Sequence, residues 1–142
     1  MLVFEVDGMI MVRRHFNGGS VENGSVTVNW SPFDGIDVRT VITPTESGHI
    51  RSHEINSQFN CTAYDTGFAV SSGDSDSLET SVDKGAYAKN KFQQCSVTSD
   101  EGEGIIIPAS PNTNIRYPKT VIPAVKYEIK KGKTIIKTII KD

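Results

Sequence analysis

Two histidines and an arginine form the densest group of chemically versatile side chains in this sequence. His49, Arg51 and His53 occupy alternate positions in a segment rich in β-branched residues. If the segment is a strand, all three side chains share one face. Imidazole can exchange a proton near neutral pH, and guanidinium can pair with a carboxylate such as that of a uronic acid. The three residues are therefore candidate ligands of an acidic sugar, unless they hydrogen-bond across strands or cover the contact with a partner domain.

Metal binding is not expected at this face or elsewhere. His49 and His53 are four residues apart, which is about 13 Å along a strand that rises ~3.3 Å per residue, too far for both to hold one ion. The acidic segment 74–83 lacks the glycine and the closing glutamate of an EF-hand. It therefore reads as a solvated loop. We expect no metal and no other cofactor.

The remaining candidates have competing structural roles. Asp34 and Asp37 could form a carboxylate pair or cap a turn. Cys61 and Cys95 fit neither a metal-ligand pattern nor a disulfide scaffold, and buried, reduced thiols are favoured. Four aromatic residues could stack on sugar rings or belong to the core: Trp30, Phe33, Tyr64 and Tyr117.

The elements that must position these residues are predicted to be short β-strands. Alternation from Ile36 to Ile42, turn residues 44–48 and a return through 49–55 predict a hairpin. Similar alternation separated by turn signals recurs along the chain, and no amphipathic segment is long enough for a helix of more than two turns. We predict a single all-β domain, residues 1–142, folded as an antiparallel β-sandwich of about nine to eleven short strands. Val28 and Val38 are predicted to lie in its core.

Two segments carry further expectations. Residues 71–85 are small, polar and acidic, which predicts an exposed loop. The last strand, residues 134–140, places isoleucines at both parities and is flanked by lysines, as is typical of a soluble edge strand. An apolar patch on Ile135 to Ile140 predicts self-association, as a dimer with two-fold symmetry.

Composition limits the classes of partner. The chain has 142 residues and a net charge of −2, so it offers no general signal for nucleic-acid binding. No apolar run approaches the ~20 residues of a membrane span. The first residues lack the pattern of a signal peptide, which makes the cytoplasm the expected location.

Two segments resemble the C-terminal part of a bacterial family, domain-of-unknown-function family 2264. The first runs from Asp37 to Val70 and includes Arg39-Thr40, the run from Gly48 to Ile55, and Thr66 to Val70. The second consists of Asn112 to Ile115 followed by Tyr117 to Pro123. Together they cover roughly residues 30 to 140.

The resemblance implies an architecture similar to heparinase II/III-like proteins, in which a helical (α/α) toroid precedes a β-sandwich. This chain corresponds to the second part, whereas the toroid supplies most of the cleft and catalytic groups. The implied function is an accessory domain of a carbohydrate-active protein that is not catalytic alone. A stand-alone module that binds an acidic oligosaccharide or polysaccharide is one alternative. The other is a partial lyase or hydrolase active site that a helical toroid completes.

Overall fold

The computed structural model describes residues 1–11, 14–72, 78–109 and 119–142, and in these residues all regular structure is β-strand. The strands are β1 (Leu2–Val6), β2 (Met9–Met11), β3 (His15–Glu22), β4 (Ser25–Phe33), β5 (Ile36–Thr45), β6 (Gly48–Ser57), β7 (Cys61–Thr66), β8 (Val70–Ser71), β9 (Glu79–Val82), β10 (Gly85–Lys89), β11 (Gln94–Thr98), β12 (Glu103–Pro108), β13 (Thr120–Ile129) and β14 (Gly132–Lys141).

The strands form two antiparallel sheets. The first sheet has the order β12-β13-β7-β1-β2, with β8 also paired to β13, and the second has the order β3-β4-β5-β6-β14-β11-β10-β9. The predicted all-β sandwich is confirmed. The described residues contain more strands than the predicted nine to eleven, partly because β2, β8 and β9 are too short to show alternation.

The predicted central hairpin is β5 and β6, which pair over ten positions from Ile36–Ser57 to Thr45–Gly48. Its turn is shorter than predicted, since Pro44, Thr45 and Gly48 all belong to the strands. Gly48 is required there because a Cβ atom would clash with the Ile140 carbonyl oxygen of neighbouring β14. The hairpin lies inside the second sheet, where β5 pairs with β4 and β6 pairs with β14.

The core lies between the sheets. Val38 and Ile55 on the central hairpin are buried, as is Phe4 of the first sheet, whose ring packs edge-on against Trp30 at a centroid distance of 6.2 Å. Val38 is buried as predicted, and Val28 is half-buried and packs against the same core. The alternation of the sequence thus identified the faces of β4 and β5 correctly.

The last strand is not an edge strand, and that interpretation was wrong. β14 lies between β6 and β11 in the interior of the second sheet. Ile136 and Ile140 enter the core, whereas Ile135 is 59% exposed on the outer face. Lysines at the outward positions solvate that face rather than an edge. Edge position depends on strand order, which local alternation does not contain.

The predicted loop over residues 71–85 is partly a strand. β9 is exposed along its length and forms an edge of the second sheet by pairing with β10. The prediction missed it because an exposed edge strand has no buried face and so no apolar alternation. Asp74 and Asp76 lie outside the described residues, as do the family-like residues 112–115 and 117–118.

Candidate functional site

His49, Arg51 and His53 share one face of β6, as the sequence predicts. That face also carries Ile55 and Ser57, which are buried, so it points between the sheets. His53 is only 1% exposed, and the Arg51 side chain is 13% exposed. Burial increases along the strand from the half-buried His49 inward.

The partner of this face is Asp65, a residue that the sequence analysis did not single out. Asp65 is fully buried on β7 of the opposite sheet. Its Oδ1 accepts a hydrogen bond from Arg51 Nη1 at 2.7 Å, and its Oδ2 lies 2.8 Å from His53 Nε2. Arg51 Nη1 also donates to the Thr66 carbonyl oxygen at 2.8 Å. One carboxylate therefore joins both β6 residues to the first sheet.

The network continues across the second sheet. Thr40 is the register partner of His53, and its Oγ1 lies 2.7 Å from His53 Nδ1. Trp30 on β4 donates its indole N–H to the same hydroxyl at 2.9 Å. Because the carboxylate accepts from Nε2, that nitrogen of His53 carries a proton. We call the five residues Trp30, Thr40, Arg51, His53 and Asp65 the inter-sheet network.

The electrostatics of the inter-sheet network favour an ionised Asp65. Burial by itself raises the pKa of this carboxyl, but the hydrogen bond and charge of His53 and the charge of Arg51 outweigh it. The pKa of Asp65 therefore lies well below its usual range.

His49 is the most accessible member of the predicted face. Its Nε2 accepts a hydrogen bond from Arg51 Nε at 3.0 Å. Burial and then the positive charge of Arg51 lower the pKa of His49. A neutral His49 thus completes the hydrogen bonding of the guanidinium, which donates to Asp65, Thr66 and His49 at once.

The order hydroxyl–imidazole–carboxylate in Thr40, His53 and Asp65 is that of a nucleophilic triad. A triad must present its hydroxyl to substrate, and Thr40 is only 6% exposed. The Thr40 hydroxyl also accepts the Trp30 indole proton. What this arrangement can do chemically is to satisfy buried polar groups and fix the spacing of the two sheets. No buried side-chain nitrogen or oxygen among the described residues lacks a partner.

The other sequence candidates are dispersed. Asp37 accepts a hydrogen bond from Ser31 at 2.7 Å, whereas Asp34 lies in the β4–β5 turn. Phe33 packs edge-on against Phe59, and Tyr64 donates to Glu5 at 3.3 Å. Trp30 belongs to the core, and Tyr117 lies outside the described residues.

Neither the thiols nor the candidate metal ligands form a reactive site in the part of the chain that the structure describes. Cys61 and Cys95 are both free; Cys95 is buried, as predicted, whereas Cys61 is only half-buried, and burial raises the pKa of each thiol. The described part of the chain holds no group of three His, Cys, Asp or Glu side chains placed to bind a metal ion. It also has no helix of the length and hydrophobicity that a membrane span requires.

An open groove lies away from the inter-sheet network, between β2 and the ends of β3 and β4. Its volume is about 670 Å³. Met9, Ile10 and Phe33 line it and are 64%, 50% and 44% exposed. The residues that line it are Met9, Ile10, Met11, His15, Ser31, Pro32, Phe33 and Asp34. We call it the β2–β4 groove.

The two open sheets and their polar, buried connection define an antiparallel β-sandwich domain. The chain belongs to the DUF2264 C-terminal domain family, whose sequence profile matches residues 10–140. No curated protein sequence matches it.

Similar folds occur among solved structures. The crystal structure of the heparan sulfate lyase HepC from Pedobacter heparinus matches with a TM-score of 0.63 and 10% identity, over 97% of this chain and 23% of the lyase chain. A mutant of the same lyase matches with a TM-score of 0.63 and 9% identity over the same shares. At this identity the likeness is one of fold. This chain spans about a quarter of the length of those lyases.

Proposed function

We propose that this chain is an accessory β-sandwich domain of a larger, polysaccharide-lyase-like protein and is not catalytic alone. The observation that carries the proposal is the match of nearly the whole chain to a quarter of a heparan sulfate lyase. Membership of a family of C-terminal domains supports the same proposal, since the family description implies a preceding part. The inter-sheet network also supports the proposal. Its buried polar groups hydrogen-bond one another, as is expected of a domain with a structural role.

The partner that we propose is a helical domain of the toroid type, docked at the β2–β4 groove. Exposed apolar side chains in a groove favour burial against another protein surface. Ile10 lies at the edge of the first sheet, where a neighbouring domain could cover it without displacing any strand. A helical domain that supplies the catalytic groups would gain a rigid wall from the sandwich.

The test pairs the chain with a helical N-terminal domain from a DUF2264 protein, produced as a separate polypeptide. The two should copurify, and an acidic polysaccharide such as heparan sulfate should be cleaved only by the mixture. Ile10→Glu should abolish copurification. Val82→Glu is the matched control, because Val82 is equally exposed (53%) but lies on β9 at the far edge of the second sheet. Equal binding by both variants, or cleavage by the sandwich alone, contradicts the proposal.

Two finer parts of the hypothesis stay predictions. One is that His49, Arg51 and His53 bind an acidic sugar, either in this domain alone or as one wall of a site completed by the helical domain. The observation that favours it is that His49 and Arg51 retain some exposure at the end of β6. The other is self-association through the last strand, for which Ile135 provides the exposed apolar side chain. Sedimentation of Ile135→Lys beside the parent chain tests the second.

A further inference from the structure

The turn between β10 and β11 presents an aromatic ring to solvent. Phe92 is 84% exposed, more than any other large hydrophobic side chain in the described ranges. The exposed ring contributes little to the stability of the fold, because most of its apolar surface stays in water. The ring lies far along the chain from the residues that line the β2–β4 groove.

The turn is held rigid by one side chain. Asn90 Oδ1 accepts hydrogen bonds from the backbone N–H groups of Phe92 and Gln93 at 2.8 and 2.7 Å. Asn90 Nδ2 donates to the Ser71 carbonyl oxygen at 2.7 Å, which ties the turn to β8. Phe92 is therefore exposed on an ordered backbone. Because the backbone of the turn is already held by hydrogen bonds, ordering it costs little when a ligand binds the ring.

A second ring stands beside it. Phe68 is 39% exposed and lines the same open cavity of about 350 Å³ as Phe92. Its backbone N–H donates to Cys95 Sγ at 3.4 Å, and the preceding Gly67 donates to the Pro123 carbonyl oxygen at 2.8 Å. A Cβ atom on Gly67 would lie 2.5 Å from Cys95 Sγ, so only glycine lets the backbone approach so closely. The backbone that carries both rings is thus held by neighbouring strands.

The surroundings of the rings are polar. Gln93, Gln94 and Asp142 line the cavity together with the two rings. The Gln94 amide already donates to the Asp142 carbonyl oxygen at 3.4 Å and accepts from the Tyr87 hydroxyl at 3.5 Å, so the Gln93 amide is the better placed to bond a ligand. The Lys91 ammonium lies 5.6 Å from the centre of the Phe92 ring. Two rings among amides make a smaller apolar surface than a standard protein interface, which buries about 800 Å² on each partner. Aromatic faces beside amide groups instead match a pyranose ring, which has C–H faces and hydroxyls at its rim.

We propose that Phe92 and Phe68, with the amide of Gln93, form a saccharide-binding site. A pyranose ring stacks on Phe92, and the Gln93 amide hydrogen-bonds its hydroxyl groups. The site deepens the proposed function by giving the accessory domain its own contact with the polysaccharide. Only the role of this site in the larger protein rests on the proposed function. Saccharide binding itself is independent of it, because docking at the β2–β4 groove uses none of these residues.

Titration calorimetry of the isolated chain tests the site, with a β-linked glucose hexasaccharide and a uronic-acid hexasaccharide as the two probes. We expect binding of at least one probe, weakened about ten-fold or more by Phe92→Ala and retained within about three-fold by Phe92→Tyr. Phe16→Ala is the matched control, because Phe16 is also exposed (63%) but lies on β3. It should bind like the parent.

Three results would overturn the site. The first is that the parent binds neither probe, and the second is that Phe92→Ala binds as tightly as Phe16→Ala. The third is that Phe92→Ala abolishes association with another protein chain while saccharide binding is unchanged, which would make the ring a protein contact. Failure here leaves the Ile10→Glu copurification test untouched, so the two proposals fail separately.

Discussion

Asp65 and His53 meet at 2.8 Å across the space between the two sheets, and each is almost completely buried. The carboxylate is on β7 of the first sheet and the imidazole is on β6 of the second. Their contact means that the sandwich is held by a charged, hydrogen-bonded connection as well as by apolar packing.

Asp65→Asn should destabilise the protein strongly. The substitution keeps the shape of the side chain but removes the charge that Arg51 and His53 share, and a buried guanidinium is left without its counter-ion. The free energy of unfolding in urea should fall by about 3–5 kcal/mol. Asp37→Asn is the control, since Asp37 is an exposed carboxylate of β5, and it should change stability by less than about 0.5 kcal/mol. Similar losses for both variants would contradict the role given to Asp65.

The same carboxylate predicts the acid response. A folded-state pKa below the unfolded value means that Asp65 contributes its full stabilisation above about pH 4. That contribution is lost as the pH falls further toward the folded-state pKa, where the native carboxylate also becomes protonated. Urea unfolding from pH 6 to pH 2 should show a decline below pH 4 that is shallower in Asp65→Asn. Parallel curves for the two proteins would be inconsistent with the depressed pKa.

Thr40→Val should show how much the Thr40 hydroxyl contributes to the stability of the protein. Valine has nearly the same shape, but it leaves the indole N–H of Trp30 and Nδ1 of His53 without their partner. Two buried polar groups lose a hydrogen bond, at a cost of about 1–3 kcal/mol each. Thr45→Val on the same strand is the control, because Thr45 is exposed and its substitution should be nearly neutral. A thermal melt of Thr40→Val that coincides with that control would show that the hydroxyl contributes nothing.

The cysteines should differ in reactivity. Cys95 is fully buried, and its sulfur accepts the Phe68 N–H, whereas Cys61 is only partly buried. Because the thiolate is the reactive form and both pKa values are raised, labelling of either should be slow at neutral pH. A thiol reagent should modify Cys61 first and Cys95 only on unfolding, as mass spectrometry of the digested protein can show. Early modification of Cys95 would contradict its burial.

Much of the fold was predictable because alternation is a local signal. The hairpin of β5 and β6, the shared face of His49, Arg51 and His53, and the burial of Val38 all follow from period two. Asp65 was not predicted, although its parity in β7 matches that of the buried Ala63. A buried aspartate differs from a solvated one only through partners on another strand. The internal position of β14 was missed for the same reason, since strand order is a property of tertiary structure.

Arg51→Ala separates the structural and sugar-binding roles of the candidate face. The structure pairs Arg51 with Asp65, so its removal should cost about 3 kcal/mol or more by leaving a buried carboxylate without its guanidinium partner. A merely exposed arginine would change stability by less than about 1 kcal/mol. Thermal melts of Arg51→Ala, His53→Ala and the parent give this comparison. Arg39→Ala, an exposed arginine of β5, is the control for loss of a guanidinium.

Titration of the same proteins with uronic-acid oligosaccharides, below the lowest melting temperature, gives the second half of the comparison. If the face binds acidic sugars, the parent and Arg39→Ala should bind alike, and His49→Ala should bind more weakly although it removes only a half-buried ring. Arg51→Lys should also weaken binding, because an ammonium cannot reproduce the two-pronged contact of guanidinium. A large loss of stability in Arg51→Ala together with no binding by the parent would leave the face with a structural role alone. Binding by the parent that His49→Ala and Arg51→Lys both retain would place the sugar elsewhere on the domain.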